Sequence, residues 1–145
     1  MPTVNLLEVD EENWRDVANI KVKPGQEEFV AATTYYMCLA HYGDDWHPLA
    51  IEADGEIVGH VMWGVDKEED SIWLGGLVID AAKQGLGIGR AAVQAFLDRF
   101  GPEPGAHIAL SYAPENAVAR QLYQKLGFVE TGEMAEDEVV ARYRP

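Results

Sequence analysis

Three glycines alternate in the segment Gln84-Gly85-Leu86-Gly87-Ile88-Gly89. The segment lies between an apolar run, Ser71–Ile79, and a stretch of helical spacing that extends to Phe100. Glycine tolerates positive φ and lets a ligand approach the backbone. The first N–H groups of a helix have no partner within it, and the helix dipole adds partial positive charge there. A glycine-rich turn opening a helix can therefore cradle a phosphate or pyrophosphate. Lys83 and Arg90 flank the turn and would add cationic charge. The alternative use is a tight turn needed only for helix–strand packing. The spacing departs from the Gly-x-x-x-x-Gly-Lys-Ser/Thr loop and from the Gly-x-Gly-x-x-Gly dinucleotide fingerprint. The turn also follows the fourth expected strand rather than the first of a βαβ unit, which disfavours a nicotinamide cofactor.

Other reactive side chains give weaker signals. His41, His47, His60 and His107 lack metal-ligand spacing, and no metal site is expected. His60 and His107 fall in strand patterns and read as structural. Cys38 has apolar neighbours in a helical pattern and reads as a buried, inert thiol. With a single cysteine, no intrachain disulfide is available. Tyr123 shares a helical stripe with Ala119, Leu122 and Leu126, and by pattern alone it is a core tyrosine.

Charge narrows the partner classes. The chain of 145 residues has 11 basic and 25 acidic side chains, for a net charge of −14. Residues 1–72 hold 16 of the acids and 4 of the bases, so nearly all the excess lies in that half. Nucleic acids and anionic membrane surfaces are disfavoured as partners, because both are bound through Lys and Arg clusters. No apolar run reaches the length of a membrane span, and the N-terminus lacks the basic and apolar regions of a signal peptide. A cytoplasmic protein is expected.

The elements that must position these residues are legible from their periodicity. Val4–Val9 reads as a strand, Glu11–Ile20 as a helix capped by Asp10, and Gln26–Tyr42 as a second helix after the Pro24-Gly25 break. Leu49–Ala53 and Glu56–Val65 form a hairpin about Asp54-Gly55. Ser71–Ile79 reads as a central strand buried on both faces. A helix to Phe100, a Pro/Gly loop over Gly101–Gly105 and a strand from His107 to Tyr112 follow. A helix opened by Pro114-Glu115-Asn116 runs to Lys125 and is capped by Gly127. Phe128–Met134 and Glu138–Arg142 are the last strands. The expectation is an α/β fold in one domain, residues 1–145, with a mixed central sheet of about seven strands and about four helices.

Gln84-x-x-Gly87-x-Gly89 resembles the Gln/Arg-x-x-Gly-x-Gly/Ala signature of the GNAT N-acetyltransferases. A second block, Asn116-x-x-Ala119-x-x-Leu122-Tyr123-x-x-x-Gly127-Phe128, resembles the later helix and strand of that family. The element order fits over nearly the whole chain. The resemblance implies acetyl-CoA as co-substrate, with no metal, and direct attack of a primary amine on the thioester. It implies that the strand before the turn splays from its neighbour, so that Leu77, Val78 and Ile79 meet the pantetheine arm. The Val78 amide would polarise the thioester carbonyl. Gln84, Gly85, Leu86, Gly87, Ile88, Gly89 and Arg90 would hold the pyrophosphate. Leu86 departs from the family, where a Lys or Arg is frequent. Asn116 would contact the cofactor or serve as an N-cap, and Tyr123 would protonate the leaving thiolate.

The attacking amine must lose a proton, which at neutral pH costs roughly 4 kcal/mol for a pKa near 10.4. Leu74-Gly75-Gly76-Leu77 offers no base, and the two glycines there would open room for substrate. The stretches Glu11–Val17 and Lys23–Ala31 resemble bacterial spermine/spermidine acetyltransferases, which implies a polycationic acceptor. Candidates for its ammonium groups are Glu27, Glu28, Asp44 and Asp45; candidates for cation–π contact are Trp14, Tyr35, Tyr36, Trp46 and Trp63. Other amines, protein lysines and N-termini among them, and a non-catalytic acyl-CoA sensor are the alternatives. A homodimer is an expectation from relatives alone.

Overall fold

The computed structural model describes residues 2–101 and 107–144. Its strands are β1 Val4–Glu8, β2 Trp46–Ala53, β3 Glu56–Asp66, β4 Ser71–Ile79, β5 Ile108–Tyr112, β6 Phe128–Ala135 and β7 Glu138–Tyr143. They form one sheet in the order β1-β2-β3-β4-β5-β7-β6. All neighbours are antiparallel except β4 and β5. The helices are α1 Trp14–Ala18, α2 Thr33–Tyr42, α3 Ile88–Phe100 and α4 Ala117–Lys125. The α/β expectation of a mixed sheet of about seven strands with about four helices holds. The Gly101–Gly105 loop falls largely outside the described residues.

The strongest local signals reappear as drawn. Asp54 and Gly55 both have positive φ, 51° and 81°, as a primed two-residue hairpin turn requires. In α3, Ile88, Ala92, Val93, Phe96 and Leu97 recur at helical spacing, and all are buried against the sheet. Tyr123, Ala119, Leu122 and Leu126 of α4 join the same core with Leu110, Tyr112 and Phe128. Helices α1 and α2 cover the other face, where Thr33 Oγ1 donates to the Val17 carbonyl at 2.7 Å and Tyr36 stacks on His60.

Helices α1 and α2 are shorter than their patterns suggest. Asp10 accepts from the Glu12 and Asn13 amides, both at 2.9 Å, so it organises a turn and the helix starts only at Trp14. The second expected helix breaks into a 3-10 turn, Gln26–Glu28, and α2. Ala32 between them is extended, and the Ala31 N–H donates to Tyr36 Oη at 2.9 Å instead of a helical carbonyl. Cys38 is exposed, not buried, because α2 fully buries only Thr33.

Strand β2 starts at Trp46, three residues earlier than its pattern implies. Pro48 pairs with Met62 of β3 and lies beyond Leu49, the last residue of β2 that pairs with β1. Strand β4 is central, but only Ser71, Leu74 and Val78 are fully buried. The rest of it borders a gap.

Candidate active site

The gap follows from strand pairing. Strands β4 and β5 pair only at Ile72–Ile108 and Trp73–Ala109, near their starts. Beyond Trp73 they separate, and a cavity of about 570 Å³ opens between Leu74–Ile79 on one side and Ser111–Ala113 on the other. One residue of β4 is extra relative to β3: His60 faces Val78, whereas Met62 faces Gly75. Gly76 takes φ +58° in this bulge. Its carbonyl is 2.7 Å from His60 Nδ1. The imidazole is fully buried, and burial pushes its pKa down to about 4, so the ring is neutral.

The bulge sets which amides face the gap. The Asp80 N–H donates to the Val58 carbonyl at 2.8 Å, so Asp80 points toward β3. By strand alternation Val78, paired with His60, points the same way, and Leu77 and Ile79 turn toward the gap. By this alternation the Val78 amide is directed at β3, and those of Leu77 and Ile79 lie on the unpaired edge.

At one end of the cavity is the glycine turn. Gly85 and Gly87 have φ near +80°. A side chain at Gly85 would meet nothing within 4 Å, and at Gly87 only the Pro2 ring at 3.5 Å. Gly87 is the N-cap of α3 without any side-chain cap. The open backbone fits a bound anion better than a packing constraint. Gln84 does not face outward; its amide forms a reciprocal pair with Gln26 at 2.8 and 2.9 Å and donates to the Ile79 carbonyl at 2.9 Å. It ties the turn to the 3-10 segment. Lys83 lines the cavity but pairs with Glu56 at 3.0 Å in an exposed contact, the kind worth at most about 1 kcal/mol. Leu86 and Arg90 are exposed and lie outside the cavity lining.

Tyr123 projects from α4 into the cavity, is buried, stacks on Tyr112 and meets Phe128 edge to face. Burial, followed by the nearby Tyr112, Glu138 and Tyr36, pushes its pKa far above the usual phenol value. It is therefore protonated across the physiological range. Asn116 caps α4 by accepting from the Ala119 N–H at 3.2 Å, and it also lines the cavity.

Residues 7–128 match the model of the Acetyltransferase (GNAT) family. The chain belongs to the GNAT acetyltransferase family. It is an acetyl-CoA-dependent N-acetyltransferase. It is 27% identical over 144 residues to the spermine/spermidine N(1)-acetyltransferase of Bacillus subtilis, covering 91% of each chain. Among solved structures it resembles AAC(6')-Ib in a complex containing acetyl-CoA, with TM-score 0.79, 18% identity, and coverage of 98% of this chain and 93% of the other. It also resembles the spermidine N-acetyltransferase of Vibrio cholerae with CoA and spermine, with TM-score 0.72, 21% identity, and coverage of 97% and 93%. At such identities these two likenesses speak for the GNAT fold.

The part of this GNAT cavity away from the glycine turn differs from its sequence reading. Of the candidate residues, Tyr36 and Trp46 line it. Trp14 packs under Arg15, Tyr35 is exposed beside Tyr36, and Trp63 lies between His47 and Phe100 of α3. Glu27 accepts from the Gly25 amide, and Glu28, Asp44 and Asp45 are exposed; none of the four lines the cavity. The glycines at 75 and 76 do not leave open space. A Cβ at Gly75 would be 3.1 Å from the Trp46 indole, and one at Gly76 would be 3.1 Å from His60 and 3.3 Å from Tyr36. They make room for aromatic walls. The sequence reading missed Phe29, Val30, Met62, Trp73 and Glu138, which also line this end. Phe29 and Val30 lie within the helix expected over Gln26–Tyr42, which the structure breaks between Glu28 and Thr33. Glu138 carries no local signal, since it is one acid among several after a turn.

Proposed function

We propose that this chain transfers acetyl from acetyl-CoA to a primary amine within this cavity, and that the acceptor is a polyamine or diamine. The observation that carries the transfer reading is the unpaired β4 edge facing Tyr123, with the open glycine turn beyond it. Acetyl-CoA supplies an activated thioester and a pyrophosphate. The amides of Gly85, Gly87 and Gly89 and the Lys83 ammonium receive the pyrophosphate. The Leu77 and Ile79 backbone holds the pantetheine arm, and the Leu77 N–H donates to the thioester carbonyl as its oxygen gains charge. Tyr123 protonates the sulfur as the C–S bond breaks. Asn116 holds the start of α4, and so the phenol, in place.

For the acceptor, support comes from the Bacillus relative and from the acidic first half of the chain. With the four candidate acids outside the cavity, that charge acts at long range, concentrating cations at the mouth. Tyr36 and Trp46 supply faces for cation–π contact. One observation favours a second class. Phe29, Tyr36, Trp46 and Trp73 make this end aromatic, which suits an amine on an apolar body. Thiol release from acetyl-CoA with spermidine, spermine, putrescine, a lysine peptide, an aminoglycoside and an arylalkylamine separates the two. Preference for spermidine and spermine that weakens with salt supports the polyamine reading. A salt-independent preference for the arylalkylamine replaces it.

A further inference from the structure

The acceptor nitrogen must lose a proton, and the central strand carries no side chain to take it. Among the described residues lining the cavity there is one carboxylate, Glu138, and it comes from the opposite border of the gap. It is the first residue of β7, which neighbours β5. Ser111 of β5 donates its Oγ–H to Glu138 Oε1 at 2.8 Å, fixing the carboxylate's direction and leaving Oε2 for another donor. Its charge acts on Tyr36 from α2 and on Tyr123 from α4. Those helices cover opposite faces of the sheet, and both phenols line the same cavity as Glu138. That is the place where the new C–N bond must form if Leu77 receives the carbonyl and Tyr123 the sulfur. Among the described residues, the titratable groups that line the cavity with Glu138 are Tyr36, Tyr112 and Tyr123; the cavity's cation, Lys83, belongs to the glycine turn.

We propose that Glu138 is the general base of this enzyme, with Ser111 as its positioning residue. The proposal rests on the acetyl-transfer reading of the cavity. The neutral amine donates one N–H to Glu138 Oε2. Its lone pair forms the C–N bond, and the nitrogen proton passes to the carboxylate. The C–S bond breaks, and sulfur takes the Tyr123 proton. Glu138 then returns its proton to the Tyr123 oxygen, so both groups are reset and the only net proton is the one the ammonium lost to solvent. A carboxylate that receives a proton during bond formation works on a nitrogen already made acidic by attack, which is where general-base catalysis contributes its usual 100-fold or more.

The test is steady-state kinetics of wild type, E138Q, E138D and S111A with the best amine of the panel, alongside CoA affinity by calorimetry. The expected result is a fall in kcat of about 100-fold for E138Q, with CoA affinity within about twofold. E138D recovers at least about tenfold of that loss because it restores a carboxylate. S111A lowers kcat by about tenfold or less and shifts the acid limb of the pH profile, which E138Q abolishes. E138Q within threefold of wild type, with the same pH profile, overturns the proposal and leaves acetyl transfer standing. Wild-type protein that binds acetyl-CoA yet acetylates no amine overturns the acetyl-transfer reading and this proposal with it. Should E138Q lose its cooperative melting transition, S111A decides: wild-type kcat with an unshifted acid limb overturns the base, and a loss confined to kcat with a shifted limb supports it.

Discussion

At one end of the cavity the working groups are backbone amides, and at the other they are side chains gathered from several elements. The turn end needs glycines with positive φ, an uncapped helix start and an unpaired strand edge, all fixed within residues 74–89. The acceptor end needs Phe29 from a loop, Tyr36 from α2, Trp46 from β2 and Glu138 from β7, residues spread over more than 100 positions. A backbone cradle tolerates changes of side chain and serves any donor with the same pyrophosphate. A wall of side chains changes with each substitution and sets which amine fits. The Gln84–Gln26 amide pair joins the two ends directly.

The contrast breaks most visibly at Tyr123, where both ends meet. Tyr123→Phe should lower kcat by about 100-fold or more while CoA affinity stays within about twofold, measured by thiol release and calorimetry. An acyl-CoA sensor would show no such split, because it has no turnover to lose.

The next effect is on stability and lies at the bulge between the ends. His60 is held neutral with a pKa near 4, below the ordinary 6.5. The unfolded chain therefore binds the extra proton first as pH falls. This contribution is fully present above about pH 6.5 and is lost between there and about pH 4. Its size is about 3 kcal/mol, from a pKa lowered from 6.5 to about 4. Chemical denaturation at pH 7 and pH 4.5 should show a smaller pH-dependent loss for His60→Gln than for wild type. Equal losses would show that His60 does not titrate on unfolding.

Trp46→Ala should sharpen the difference between the ends. It removes an aromatic wall so close that a Cβ at Gly75 would lie 3.1 Å from it. The acceptor KM should rise about tenfold and the KM for acetyl-CoA about twofold at most, given cation–π contributions of about 1–2 kcal/mol. Smallest of all should be the combined Glu27→Gln, Glu28→Gln, Asp44→Asn and Asp45→Asn variant. These acids lie outside the cavity lining, so only long-range attraction remains. Its kcat should be unchanged and its kcat/KM for spermidine lower by about threefold at low salt, vanishing near 0.5 M salt as screening removes it. A loss of tenfold or more that persists in salt would place them against the substrate.

Much of the fold could be read from the chain because its signals are local. The Asp54-Gly55 turn, the apolar stripe of α3 and the Asn116 cap each depend on neighbours within a few residues. The acceptor-side elements could not be read in the same way. Phe29 and Val30 have helical spacing, yet the chain there turns them into a cavity whose other walls are distant in sequence. Cys38 has apolar neighbours but lies on a helix that buries little.

By itself, the sequence determined the order of the elements, the hairpin, the glycine turn and the membership of Tyr123 in the helix that faces it. All of these rest on periodicity and on conformations open mainly to glycine. Tertiary structure alone decided that the Leu77 amide, not that of Val78, faces the gap, because one extra residue in β4 resets the alternation after Gly76. It alone brought Glu138 across from Tyr123, because β7 inserts between β5 and β6 and carries its first residue to the open border. Neither outcome has a local signature, since register and strand order are set by pairing between distant segments of the chain.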